Sequence, residues 1–400
     1  MKIDVVIGAN YGDEGKGLVT NYLSSYNNGS KGLIVLNNGG AQRGHTVETA
    51  DGFRHVFHHF GSTINPNYDS CCSEDFIINP AIWIKERAEL NTLGLNPKLY
   101  IHPECKVSTV FDMLLNQMIE TYRGKNNHGS VGVGIWETIC RHNKIPITFE
   151  TSILSLATNK FKNQLINYFY KKIEEYNISD AIKNDFLNGI DIDGLFGHWL
   201  YDFNQMKKSC FKFIGFEITG YTLAKEYQHV IFENGQGLLL DQNIDKIYST
   251  PSNTGIDNAL NFITKYYLNT APINCYYVSR CYLTKHGAGP FEGELTNDEK
   301  QLYIPDYQQD QTNLYNDFQQ NLRFGRLNES ELINRIKTDF KKIDMNKFNR
   351  FSTCNLVLTH INEVKYNYIN ICDCWNSKMK NINNKFFISD SKFSNSIVQF

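Results

Sequence analysis

The chain has no stretch approaching the ~18 uninterrupted apolar residues of a membrane-spanning helix, which excludes that class. It has no excess of either charge: 40 Lys and Arg stand against 42 Asp and Glu, a formal net charge of −2. That removes any bulk attraction to nucleic acid or to a membrane surface. No Cys-x-x-Cys occurs among its 10 cysteines, and Cys71-Cys72 and Cys372-Asp373-Cys374 are too close-set for a zinc knuckle. The cysteines therefore read as reduced thiols of a cytoplasmic protein. No apolar h-region precedes the first strand, so no signal peptide is expected. There is no internal repeat and no long Pro- or Ser-rich linker. What remains is the composition of a folded protein, 41% hydrophobic and 13% aromatic over 400 residues. That length buries a large core.

Strand-like runs recur at Lys2–Ile7, Gly32–Leu36, His229–Phe232, Asn274–Cys281, Asn355–Thr359 and Lys385–Ser389. Helical patterns lie between them, at Ala81–Leu90, Val107–Thr121, Lys162–Tyr176 and Asn258–Tyr267. This alternation predicts an α/β fold with a mostly parallel central sheet flanked by helices. Ligands of such sheets sit beyond the carboxyl ends of the strands. Residues 151–230, rich in Lys, Asn and aromatics, read as a helical elaboration of a single 1–400 domain.

The most informative segment is Gly8-Ala9-Asn10-Tyr11-Gly12-Asp13-Glu14-Gly15-Lys16-Gly17. It joins the first strand to a helix. Glycines let backbone N–H groups approach phosphate oxygens, the helix N-terminus adds positive potential, and Lys16 adds a full charge. The usual phosphate loop ends Gly-Lys-Ser/Thr, and its hydroxyl holds magnesium. Here Gly17 stands in that place, and an acidic pair, Asp13-Glu14, sits inside the loop. A carboxylate beside phosphate is repulsive unless it binds a cation or takes a proton. Asp13 could equally cap the following helix.

Three more Gly-rich loops follow strands. Asn37-Asn38-Gly39-Gly40-Ala41-Gln42-Arg43-Gly44-His45-Thr46 brings a titratable histidine to a tight turn; a hairpin with an incidental histidine has the same look. Phe232-Glu233-Asn234-Gly235-Gln236-Gly237 offers an amide between glycines, suited to a base edge or to a polar turn. Thr284-Lys285-His286-Gly287-Ala288-Gly289-Pro290-Phe291 is the fourth.

Together these four segments resemble adenylosuccinate synthetase. That family carries GDEGKG, GGxNAGHT, FEGAQGxxLD…TSSNT and VGAGPF in the same order. The resemblance implies a P-loop-related fold, a homodimer, and a ligase that joins L-aspartate to IMP with GTP and Mg2+. By that analogy Asp13 takes the ring proton beside the 6-oxo group, the oxygen attacks the γ-phosphate, and His45 and Lys16 serve the transferring phosphoryl. The nucleoside triphosphate would then lie on Gly12, Gly15, Lys16, Gly17, Gly44, Thr46, Thr359 and Asn362. Magnesium would be held by Asp13 and the Gly44 carbonyl. The purine nucleotide would meet Asp13, Gln42, Gln236 and Thr250, with Ser130 and Val131 near its phosphate. Arg141 reads either as an arginine reaching the partner's nucleotide or as a solvated helix residue. Of the family's Arg-rich aspartate loop only Arg323 remains, with Thr312 and Asn313 beside it, as in a shorter branch of the family.

The chain departs from its family in two further places. Gln42-Arg43 replaces Asn-Ala, so Arg43 is expected at a phosphate or in solvent. Thr359-His360-Ile361-Asn362 replaces TKLD. An amide in place of that aspartate loses the paired acceptor for guanine and suits adenine better, so ATP use or relaxed donor choice is expected. Two other readings stand beside IMP: an aminoadenylosuccinate synthetase acting on GMP or dGMP with ATP, and a nucleotide-binding regulator or defence protein without turnover. Intact Asp13, Lys16 and His45 argue against the last.

Overall fold

A computed structural model describes residues 1–26, 29–124, 128–213, 220–244, 247–308, 311–315, 317–349, 351–364 and 368–400. Its frame is a sheet of ten strands among these residues. They are β1 Lys2–Gly8, β2 Gly32–Leu36, β3 Tyr68–Cys72, β4 Leu99–Ile101, β5 Phe211–Lys212, β6 His229–Gly237, β7 Ile273–Arg280, β8 Thr353–Thr359, β9 Asn384–Ile388 and β10 Val398–Gln399. The order is β10-β9-β8-β7-β1-β6-β2-β3-β4-β5. Every pairing is parallel except β9 with β10. The expected α/β class with a mostly parallel sheet is what the chain adopts.

Central strands buried on both faces need continuous apolar runs. Val5, Val6, Ile7, Leu33, Ile34, Val35 and Leu36 are all fully buried. Two hydrophobic clusters result. One gathers Val5, Phe232, Tyr277 and Trp375, and the other Val6, Leu36, Phe57 and Trp199. Helices cover both faces and start where the sequence supplies caps. Asn79 accepts from the Ile82 N–H ahead of helix Pro80–Thr92, and Thr109 with Asp112 forms a capping box on helix Val110–Arg123. Residues 151–230 contain helices Ile153–Leu156, Asn159–Glu175, Asp180–Leu187 and Ile192–Ser209, and then β5. Residues 214–219 of that stretch lie outside the described residues. The helical segment is thus not purely helical: it contributes the last strand of the sheet.

All four Gly-rich segments lie at the carboxyl ends of strands. The third is still strand over much of its length. β6 runs on through Gly235 to Gly237, and its register with β1 shifts between Val6 and Gly8. Gln236 there has a φ of 60°. A left-handed conformation is costly for a non-glycine residue and marks an over-determined position.

Candidate active site

The first loop is shaped from within. Glu14 Oε1 accepts the Asn10 N–H at 3.0 Å and the Gly12 N–H at 2.8 Å. Lys16 Nζ donates to the Gly12 carbonyl and lies 3.6 Å from Glu14 Oε2. Burial pushes the Glu14 carboxyl up from its ordinary value, against the pull of Lys16. Helix α1, Lys16–Ser25, starts at Gly15 with φ 97° and no side-chain cap. Asp13 is therefore not its cap. The first N–H groups of α1 have no side-chain acceptor, the arrangement that receives an anion. Thr359, at the end of β8, donates its hydroxyl to the Glu14 carbonyl at 2.9 Å and ties β8 to the loop.

The second loop closes over this helix terminus. A Cβ on Gly17 would lie 2.8 Å from the Thr46 carbonyl oxygen and 3.1 Å from His45 Cβ. His45 is thereby set over the anion position. Its Nδ1 meets Glu233 Oε1 at 2.6 Å, and both groups are buried. Arg43 Nη2 meets the other oxygen of Glu233 at 2.7 Å, and the Ser62 N–H donates to it at 3.1 Å. Burial favours a neutral Glu233, yet Arg43 and then His45 hold its carboxyl well below the usual range. Burial first, then Arg43, lower His45 to about 3. His45 is thus a neutral imidazole whose Nδ1–H donates to Glu233, with Nε2 as its other nitrogen. Arg43 reaches neither solvent nor an external phosphate position, since its side chain is 2% exposed and bound to Glu233.

Two amides converge beside this group. A Cβ on Gly39 would lie 3.1 Å from Gln42 Nε2 and 3.6 Å from Gln236 Oε1. The Oε1 atoms of Gln42 and Gln236 are both buried without a hydrogen bond. Buried polar atoms rarely lack partners, and clustered exceptions mark a place where a polar ligand belongs.

The outer wall comes from later segments. His286 Nε2 lies 3.7 Å from Asp13 Oδ2 and 3.1 Å from Asn313 Oδ1. Thr312 Oγ1 meets Thr46 Oγ1 at 2.7 Å and accepts from Arg54 Nη2 at 2.9 Å. Gly129 and Gly287 pack so tightly that a Cβ on Gly129 would lie 2.3 Å from Gly287 Cα. This brings Ser130 and Val131 beside the fourth loop; Ser130 Oγ donates to Asn116 Oδ1 at 2.8 Å.

Several residues expected at the site have partners or positions of their own in the structure. Arg141 is fully buried: its Nε donates to the Asp112 carboxylate at 3.0 and 3.1 Å, and its other nitrogens to the Ile145 and Val107 carbonyls. It is not a solvated helix residue, and its fork is bound within its own chain. The Arg323 fork is already engaged by Glu294 at 2.6 and 2.5 Å, and its Nη1 donates to the Gly287 and Gly289 carbonyls. Thr250 donates to the Leu240 carbonyl of its own loop, and Asn362 is exposed on the turn after β8. Sequence reasoning passed over Glu233, His286, Arg280 and Arg335. Arg280 Nε donates to the Asp13 carbonyl, and Arg335 fixes the Ala9 carbonyl and Asn10 Oδ1 from beneath the loop. Glu233 and His286 lay inside Gly-rich segments and were open to notice; Arg335 carried no local signal.

Comparison with known proteins agrees with the motif order. The family model for adenylosuccinate synthetase matches residues 5–314. The adenylosuccinate synthetase of Thermosipho africanus is 29% identical over 302 residues, covering 74% of this chain and 67% of that protein. That of Tropheryma whipplei is 28% identical over 304 residues, covering 74% and 66%. The match thus spans about two thirds of the length of these relatives. Among solved structures, the fully ligated adenylosuccinate synthetase from Plasmodium falciparum superposes with a TM-score of 0.72 at 16% identity, covering 100% of both chains. Cyanophage S-2L succinoaminodeoxyadenylate synthetase, bound to dGMP and to dATP as an energy donor, gives 0.61 at 11%, covering 100% of this chain and 95% of that one. Those two likenesses carry the fold.

Proposed function

The chain belongs to the adenylosuccinate synthetase family, and from that premise we propose that it is a C–N ligase joining L-aspartate to a 6-oxopurine nucleotide, IMP first, with a nucleoside triphosphate as phosphate donor. The observation that carries this is that the loop of Asp13 and Lys16 packs against His45 and Gln236 at the carboxyl ends of the central strands, where the Gln42 and Gln236 oxygens are unpartnered.

The residues divide the work. The purine sits against the Gln42 and Gln236 amides. The partly exposed Asp13 carboxylate removes the ring proton, so that the 6-oxygen becomes a nucleophile. The uncapped N–H groups of α1 and the Lys16 ammonium take up charge on the phosphates. His45 Nε2 faces the transferring phosphoryl. The 6-oxygen, now phosphorylated, is a good leaving group, and the aspartate amine displaces phosphate at carbon 6. Thr312, bonded to Thr46, and Asn313, bonded to His286, meet the amino substrate. The second loop leaves no room for a hydroxyl ligand at Gly17, and no group of three or more His, Cys, Asp or Glu gathers at one point among the described residues. Mg2+ would accordingly be held by Asp13, the Gly44 carbonyl and substrate phosphates, an oxygen set that suits it. When bound it neutralises phosphate charge. A homodimer is part of this proposal by family membership.

Asn362 in place of an acid leads us to propose that ATP serves as well as GTP, or better. The deciding experiment is turnover of IMP, dIMP, GMP and dGMP, each with ATP and with GTP, in the presence of aspartate and Mg2+. It is read by phosphate release and by the mass of the purine product. Aspartate-dependent product from IMP is expected. Product from dGMP alone would move the assignment to the aminoadenylosuccinate reaction, and no product from any pair would leave a nucleotide-binding protein without turnover.

A further inference from the structure

Two consecutive peptide carbonyls of the first loop are held from the ends of two neighbouring strands. Arg280, the last residue of β7, donates from Nε to the Asp13 carbonyl at 2.5 Å. Thr359, the last residue of β8, donates to the Glu14 carbonyl at 2.9 Å. The contacts of Arg280 extend further. Its Nη1 donates to the Tyr282 hydroxyl at 3.1 Å, and that hydroxyl donates to Glu363 Oε2 at 2.5 Å. Glu363 closes the short helical turn Ile361–Glu363, which follows β8 and carries Asn362. The turn opens at His360 with a left-handed φ of 61°. An unbroken chain of hydrogen bonds thus runs from this turn to the peptide of Asp13. All its side chains are buried. A buried ion pair bridged by a hydroxyl is poor evidence for stability, because apolar side chains of similar volume often do as well. Its geometric content is larger. A satisfied buried network fixes the positions of its members, and a displacement of about 1 Å at a reacting group costs about 10²-fold in rate. With both carbonyls held, the Asp13 carboxylate keeps little freedom beyond its own side-chain torsions.

We propose that Arg280 is a positioning residue for Asp13, and that Tyr282 and Glu363 join the Asp13 loop and the turn bearing Asn362 into one mechanical unit. The inference rests on the role proposed above for Asp13. Arg280 acts through the peptide that carries the carboxylate, not on the substrate. A disturbance of the turn proposed for the donor base is thereby felt at the group that deprotonates the acceptor purine.

Two readouts test this, one of them independent of turnover. Hydrogen exchange of the full chain, followed by mass spectrometry, reads the first loop directly. Its amides should exchange roughly three- to tenfold faster in Arg280→Met and in Tyr282→Phe than in wild type, while those of β1 stay protected. Steady-state kinetics with IMP, aspartate, ATP and Mg2+ give the second readout. Arg280→Met should lower kcat by roughly tenfold to a hundredfold and Tyr282→Phe by roughly three- to tenfold, with each KM within about threefold of wild type. Arg280→Lys, which keeps the charge and a donor, should recover most of the loss. In an Asp13→Asn background, Arg280→Met should lower kcat no further, because the two residues act as one. Removing Arg280 takes a cation from beside a buried carboxylate; should that variant not fold, Arg280→Met combined with Glu363→Gln replaces it, and Tyr282→Phe stands alone as a check. Equal loop exchange in all forms overturns the proposal. So does a loss carried by KM alone, or one as large without Asp13 as with it. Absence of turnover in wild type with every acceptor, alongside faster loop exchange in the variants, would instead count against the ligase reading.

Discussion

Gly17 lies against Thr46 so closely that a Cβ on it would stand 2.8 Å from the Thr46 carbonyl oxygen. This contact gives the physical reason for the missing hydroxyl of the first loop: the second loop occupies its space. Gly17→Ser restores the usual phosphate-loop sequence, yet it should harm the protein. Displacing packed backbone costs about 1–3 kcal/mol. If the strain falls on His45 and Thr46, kcat/KM drops by roughly tenfold to a hundredfold. Steady-state kinetics of the Ser and Ala variants check this, and undiminished activity in either would show that the second loop yields freely.

Asp13 is partly exposed, caps no helix, and faces His286 at 3.7 Å. Asp13→Asn should leave the melting temperature unchanged and lower kcat by about 10²- to 10⁴-fold, the usual contribution of a general base. Triphosphate binding, followed by calorimetry without acceptor, should survive. A variant with full turnover would remove the base from the mechanism.

Arg141 and Asp112 form a buried pair at 3.0 Å. Removing the cation strands a buried carboxylate, which costs about 3–5 kcal/mol. Arg141→Met should therefore lower stability in urea titrations, while activity per folded molecule changes little. A cross-subunit ligand would give the opposite result, with KM for the purine nucleotide raised and stability intact.

Acid should weaken the fold through its histidines. His45, His55 and His59 all lie below their ordinary value, with burial as the largest cause. The folded state then binds fewer protons than the unfolded chain. The stability from each is complete above about pH 6.5 and is lost as pH falls below that value, down to the folded midpoint, which for His45 is about 3. Each group contributes a slope of about 1.4 kcal/mol per pH unit inside its window. Urea midpoints at pH 8, 7, 6 and 5 check the sign. They should be nearly level at the two higher values and fall between the two lower ones.

The fold was legible wherever apolar residues run unbroken, as in Val5–Ile7 and Leu33–Leu36. β3 was not, because Tyr68-Asp69-Ser70-Cys71-Cys72 looks polar. Its Asp69 is accommodated by the Tyr227 hydroxyl at 2.8 Å, a partner 158 positions away. The Gly-rich loops of the site stood out because close backbone approach demands glycine, as Gly17, Gly39 and Gly129 show. The fates of Arg43, Arg141 and Arg323 did not. Whether an arginine is exposed or buried depends on a carboxylate supplied from elsewhere: Glu233, Asp112 and Glu294 respectively. Local sequence carries no trace of those meetings.

Arg323 provides the sharpest test of that lesson. A free guanidinium fork in the amino-acid loop would receive a substrate carboxylate. Here the fork grips Glu294 and donates to the carbonyls of Gly287 and Gly289. Gly287 in turn packs on Gly129, next to Ser130. Cutting this chain at Arg323 should loosen the fourth loop as a unit. Arg323→Met is then expected to raise KM for the purine nucleotide as well as for aspartate, each by roughly five- to thirtyfold, since loss of a hydrogen-bonded charge pair is worth about 1–2 kcal/mol at a partly exposed site. Glu294→Gln should reproduce the pattern in weaker form, because it keeps one acceptor for the fork. An aspartate clamp predicts something different: only the aspartate KM would rise in the Met variant, and the Gln variant would bind aspartate as well as wild type or better. Parallel KM measurements on the two variants decide between an arginine that holds substrate and one that holds the loop.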